Sequence, residues 1–212
     1  MSNQKPNKTM NVGRWVTWGL FALVLTVAPW MFSSGLAMTV LSQMGIAIIA
    51  CLSYNMLLGQ GGMLSFGHAV YTGLGSFVAI HALNSVAGGS LPIPVAMVPV
   101  VGGFAGMGFA ALFGYVTTRK AGTTFAMITL GMGAVVFAMS LMIAEFFGGE
   151  GGVSGNRVIG KPFLGITFGP AIQVYYLIAI YTFLSVIAMF AFTRTPLGRM
   201  LNAVRDNPER VE

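Results

Sequence analysis

The chain has 212 residues, 56% of them hydrophobic and only 8% charged, with a net charge of +6. A soluble domain is about 25% charged, yet no Lys, Arg, Asp or Glu stands between Trp15 and Tyr115. That excludes a water-soluble globular domain and predicts an all-α, polytopic transmembrane helical bundle. The pI near 9.8 does not point to nucleic acid, because the basic residues collect at the ends of the apolar runs, where membrane orientation puts them. The mean hydropathy of +0.81 agrees. The 29 glycines suit helices packing in lipid, where small residues let backbones approach. The single cysteine, Cys51, falls mid-span and has no intrachain disulfide partner; it reads as a small packing residue.

Residues 1–15 form a polar tail with Lys5, Lys8 and Arg14, and Val16 to Phe32 is the first apolar span. A signal peptide is the rival reading of that start, since a basic tail before a short apolar core looks similar. Ser33-Ser34-Gly35 is a tight outer turn, and Leu36 to Leu58 is the second span. The third runs from about Met63 to Leu83, followed by a Gly/Pro/Ser turn over Asn84 to Pro94. In the fourth, Val95 to Val116, the residues Gly102, Gly106, Ala110 and Gly114 form a ridge at i, i+4 that predicts a close helix–helix contact. Thr123 to Ala144 is the fifth span, read as interrupted by Gly131 and Gly133. Glu145 to Ile172 is one long loop, and Gln173 to Phe192 is the sixth span, entered through Tyr175 and Tyr176 as interfacial aromatics. Residues 16–192 thus make a transmembrane domain and 193–212 a polar, basic segment. Glu212 falls within charged amphipathic sequence, and the expectation is that the chain is cut short there.

Orientation follows from Lys and Arg. With the N-terminus inside, Lys5, Lys8, Arg14, Arg119, Lys120, Arg194, Arg199, Arg205 and Arg210 are cytoplasmic, and only Arg157 and Lys161 lie outside.

The rest is organised around Asn55 to Gly75, NMLLGQGGMLSFGHAVYTGLG. Gly59-Gln60-Gly61-Gly62 breaks any continuous helix, because glycine carries the largest backbone entropy cost. Ser65, His68, Thr72 and Ser76 then follow at helical spacing and predict one polar face, which in a bilayer must meet protein or water. Two readings stand. One is a broken helix lining a translocation pathway or gate, as in transporters; the other is a glycine-rich inner turn followed by a packed helix. His68 is read as a neutral packing histidine or as a proton relay, and His81 as interfacial. Gly131, Gly133 and Glu145 join the pathway candidates. Glu145 ends the fifth span at the outer edge, where a carboxylate avoids the cost of about 2.5–3.5 kcal/mol at mid-membrane.

One motif is a decoy. Gly155-Asn156-Arg157-Val158-Ile159-Gly160-Lys161-Pro162 follows a phosphate loop up to Pro162, which stands where the magnesium-binding Ser or Thr belongs. No acid–base pair, nucleophile or metal-spaced set of ligands is legible, so neither an enzyme nor a bound cofactor is expected. Thr195 to Pro208, TPLGRMLNAVRDNP, reads as a capped helix with Pro at its first position. Leu197, Met200, Leu201 and Val204 share one face of it. It is a lipid-surface helix or a docking helix for a partner's groove.

The blocks YNMLLGQGGMLSFGHAVYTGLGSF, FAMITLGMGAVVF, GGEGGVSG and TPLGRMLNAVRDNPERVE, in that order, resemble the LivM-type permeases of branched-chain amino acid ABC transporters, from about Leu36 to Glu212. The resemblance implies a permease subunit in the bacterial inner membrane, paired with a second, LivH-like permease and two cytoplasmic ATP-binding subunits, and fed by a periplasmic binding protein. It implies ATPase coupling by the helix at Gly198, Arg199, Ala203, Arg205, Asp206 and Asn207. The chain departs from the wider importer pattern in lacking its Glu-Ala-Ala. The family also contains urea and short-amide relatives, so a stand-alone channel or secondary carrier for a small polar solute is the alternative.

Overall fold

The computed structural model describes residues 12–120, 122–158 and 166–206. It is an all-α bundle with six helices long and apolar enough to cross a membrane, and among the described residues no strand forms. The helices are α1 (Val12–Met31), α2 (Gly35–Asn55), α3 (His68–Ala87), α4 (Val98–Thr117), α5 (Thr123–Met142), the short α6 (Ala144–Phe147), α7 (Ala171–Arg194) and α8 (Pro196–Asp206). Short connections make neighbours antiparallel, so α8 lies at the same end of the bundle as the end of α2, the start of α3, the end of α4 and the start of α5. Most of the large apolar side chains of the spans are exposed, as in a chain whose solvent is lipid rather than water.

Two helix pairs form the core, α3 with α4 and α2 with α7. The first depends on glycine. A Cβ on Gly75 would stand 2.7 Å from the Gly102 carbonyl oxygen, and one on Gly106 would stand 3.1 Å from that of Tyr71. The predicted ridge therefore makes its contact through Gly102 and Gly106. A Cβ on Gly114 would meet nothing within 4 Å, since α3 begins only at His68. In the second pair, the fully buried Thr182 donates to the Gly45 carbonyl at 3.2 Å and to that of Ile178 at 2.8 Å.

α1 packs on α7. Trp18 meets Phe183 and Phe190 edge-on, and Phe21 stacks on Phe183. Pro29 is fully buried inside α1. Lacking an N–H, it leaves the Leu25 carbonyl without its helical partner, and Tyr175 Oη donates to that oxygen at 2.8 Å. Tyr175 is only 3% exposed, so it is a buried clasp between helices and not an interfacial anchor as expected. Tyr176 is half-buried, donating to the Thr26 carbonyl and accepting from Trp30 Nε1.

One more expectation changes. Gly131 and Gly133 do not interrupt α5, which runs unbroken to Met142 and breaks only at Ile143 (φ −99°, ψ 73°). His81, near the far end of α3, is half-buried. Its ring stacks on Phe146, and its Nε2 lies 2.7 Å from the Phe146 carbonyl oxygen; an oxygen that only accepts requires the proton on Nε2. With Asn84 Nδ2 donating to the Ser154 carbonyl, this ties α6 and the following loop to α3.

Candidate functional site

The site begins where α2 fails. After Asn55 the helix widens into a π-turn over Met56–Gln60, and the Gly61 N–H reaches back five residues to the Met56 carbonyl. Gly62 follows with φ +66°, a left-handed conformation that glycine takes without Cβ strain. The chain then turns, and Met63 N–H returns to the Leu57 carbonyl at 3.2 Å. Residues 61–67 dip into the bundle and rest on α5, where Phe66 N–H donates to Thr129 Oγ1 at 3.2 Å and the Thr129 hydroxyl donates to the Ala126 carbonyl at 2.9 Å. Thr129 is fully buried and lies six residues into α5, about 9 Å along it at 1.5 Å per residue. Irregular backbone at such depth is tolerated only against protein or a cavity. Gly67 makes the seat possible, because a Cβ there would run into the Thr129 carbonyl.

α3 therefore starts at His68 rather than near Met63, and the predicted polar face divides. Ser65 precedes the helix and is buried. Thr72 and Ser76 are exposed on a different side, their hydroxyls donating to Ala69 and Gly73 of their own helix. A stripe at helical spacing requires an unbroken helix, and the dip of 61–67 takes Ser65 out of that register.

Between α3, α4, the π-turn, α5, α7 and α8 lies a cavity of about 370 Å³. Met56, Leu57, Met63, Phe125, Phe192 and Leu201 give it apolar walls. Ala110 and Gly114 continue the small-residue ridge along its side, while Ser53, Ser65, His68, Tyr71 and Thr117 supply polar groups. The volume falls within the range of about 300–1,000 Å³ of small-molecule sites.

His68 has a defined hydrogen-bond arrangement. Ser53 Oγ donates to the Ala50 carbonyl at 2.9 Å and lies 2.7 Å from His68 Nε2. A hydroxyl has one hydrogen. With that hydrogen on Ala50, His68 Nε2 carries the proton and donates to Ser53, leaving Nδ1 as an acceptor. His68 Nδ1, Ser65 Oγ and Gln60 Oε1 are buried without a hydrogen-bond partner. Tyr54 and Tyr71 hold the ring edge-on from either side.

α8 sits at the mouth. Thr195 caps it, accepting from Gly198 N–H at 3.2 Å, and Gly198 is buried in the α7–α8 turn, where a Cβ would strike the Phe192 carbonyl. Leu201 faces the cavity, whereas Leu197, Met200 and Val204 are exposed. Arg205 Nη1 donates to the Gly59 carbonyl, and the Arg205 stem packs over Gly62. The residues singled out at the glycine break and on the amphipathic helix thus meet one another. No spacing in the sequence announces this contact, because it joins positions 146 residues apart. Arg199 and Ala203 are exposed on α8; Asp206 closes the helix, and Asn207 lies outside the described residues.

The remaining candidates lie elsewhere. A Cβ on Gly131 would meet nothing within 4 Å, and one on Gly133 would stand 3.9 Å from Val70 Cγ2. Glu145 is exposed in the first turn of α6, at the opposite end of the bundle. Lys161 and the end of the phosphate-loop lookalike fall outside the described residues. Sequence reading missed Ser53, Tyr71, Thr117 and Thr129, isolated polar residues on apolar helices whose importance depends on what faces them.

The family model for the permease component of branched-chain amino acid transport systems matches residues 36–212. The chain is 28% identical over 210 residues to the high-affinity branched-chain amino acid transport system permease protein LivM of Salmonella typhimurium. It is 29% identical over 214 residues to the protein of the same name from Escherichia coli. Each comparison covers 87% of this chain and 47% of the relative, so the chain spans about half the length of the curated relatives it matches. No solved structure matches it.

Proposed function

Because the chain belongs to the family of branched-chain amino acid transport system permease components, a family of multi-pass membrane proteins, we propose that it forms part of the permease of a bacterial ABC importer. It carries branched-chain amino acids inward across the cytoplasmic membrane. A second permease completes the pathway, two cytoplasmic ATP-binding subunits supply the energy, and a periplasmic binding protein delivers the solute. The N-terminus and α8 face the cytoplasm. The charges support that orientation: Arg14, Arg119, Lys120, Arg194, Arg199 and Arg205 stand at the α8 end, with Arg157 at the other. Arg119 over Tyr115 and Arg194 over Phe190 are the snorkelled pairs expected at a charged inner surface.

The observation that carries the reading is the seating of α8 on the broken end of α2, through Arg205 on the Gly59 carbonyl and over Gly62. A push on the exposed face of α8 reaches the π-turn directly and, through it, the cavity lined by Met56, Leu57 and Gly61. Nucleotide-driven closure of the partner ATPases is then a mechanical event at the mouth of the cavity, of the kind an alternating-access cycle needs. The test is uptake of radiolabelled leucine at low concentration in cells lacking the full-length gene. Uptake is lost, and returns with the wild-type gene. The purified assembly hydrolyses ATP faster when the loaded binding protein is added. Unchanged uptake in the deletion strain overturns the reading.

A further inference from the structure

The cavity has an internal polarity that the transport reading does not use. α3 begins at its edge, and no side chain caps that helix. The first N–H groups of a helix have no partner within it, and among the described residues only Val70 N–H in this first turn returns to a carbonyl, that of Gly67. Beside these groups is Ser65, which lines the cavity, is 3% exposed, and has an unpartnered hydroxyl. A buried hydroxyl without a partner is costly, and the cost is removed when a ligand supplies the bond. On the same helix end, His68 Nδ1 is also buried and unpartnered, and the Ser53 arrangement makes it an acceptor. Donors and an acceptor therefore belong to a cavity that Met56, Leu57, Met63, Phe125 and Phe192 also line.

We propose that this is a headgroup subsite for an α-amino acid: the N-terminus of α3 and the Ser65 hydroxyl receive its carboxylate, His68 Nδ1 receives its ammonium, and the apolar wall receives its side chain. The helix dipole and free N–H groups favour an anion there, as broken-helix ends do in other transporters. Among the described residues no Lys or Arg lines the cavity, so the carboxylate is held by hydrogen bonds and dipoles. This subsite deepens the amino acid transport reading and rests on it for the identity of the solute.

The test uses the full-length protein with its partner subunits in lipid nanodiscs, without the binding protein. Binding of radiolabelled L-leucine is competed by L-leucinamide, which keeps the ammonium but not the carboxylate, and by 4-methylpentanoate, which keeps the carboxylate but not the ammonium. We expect both to compete about tenfold or more weakly than leucine, the effect of one lost charge-assisted bond. Ser65→Ala closes the gap between leucine and leucinamide and leaves that between leucine and 4-methylpentanoate. His68→Phe does the reverse, and Ser65→Thr restores the wild-type pattern. The proposal is overturned if the wild-type protein fails to bind leucine, if it binds leucine and leucinamide equally, or if Ser65→Ala keeps their gap. Deletion-strain uptake is independent of these outcomes. Lost uptake with no carboxylate preference removes the subsite and spares the permease reading, whereas normal uptake with a Ser65-dependent preference does the opposite.

Discussion

Single residues in this bundle are decided by unmet backbone groups. Pro29 deprives the Leu25 carbonyl of its helical donor, and Tyr175 makes up the loss. Tyr175→Phe should therefore cost about 1–3 kcal/mol, read as a lower melting temperature of the solubilised protein. The same change should cost markedly less in a Pro29→Ala background, because residue 29 then donates to Leu25 itself. Additive effects in that double-mutant cycle would show that the clasp does not act through this carbonyl. Gly67 is equally local. Adding a Cβ drives it into the Thr129 carbonyl, and Gly67→Ala should destabilise by about 1–3 kcal/mol, the usual cost of overpacking. Gly131→Ala, in open space, serves as the control and should leave the melting temperature unchanged.

Elements meet through small residues on one side of the bundle and through α8 on the other. α3 and α4 approach along Gly75, Gly102 and Gly106, so Gly106→Leu should force the pair apart and reduce the amount of folded protein recovered from membranes. Undiminished recovery would show that this seam is not what holds α3 to α4. Gly198→Leu acts differently. The six spans keep their contacts, but the α7–α8 turn cannot close against the Phe192 carbonyl, and α8 leaves the Gly59 carbonyl. Leucine uptake should fall at least tenfold, with membrane abundance and partner ATP hydrolysis retained. Normal uptake by that variant would remove α8 from the coupling path.

At the scale of the whole molecule, charge sets the orientation and packing sets the opening. With the exposed Cys51 first replaced by alanine, a cysteine placed at Arg199 should react with an impermeant maleimide only after cells are opened. One placed at Glu150, exposed at the far end, should react on intact cells. The reverse pattern would turn the proposed importer inside out.

The amino-acid sequence alone determined that the chain is an all-α membrane bundle with six apolar helices long enough to cross a membrane, and that the helices break near Gly59. Hydropathy, charge clustering and glycine content are properties of local stretches, and lipid acts on each stretch independently. It also marked Gly102 and Gly106 as a packing seam, since a ridge at i, i+4 is written on a single helix. What faces what was decided only by the tertiary structure. Ser65 leaves the face of Thr72 and Ser76 because residues 61–67 dip onto Thr129. Tyr175 is buried because a proline on another helix lacks a donor. Arg205 finds Gly59 because α7 returns the chain to the end where α2 broke. Hydrogen bonds and close contacts between distant segments carry no periodic signature, so the cavity and its mouth become visible only once the helices are assembled.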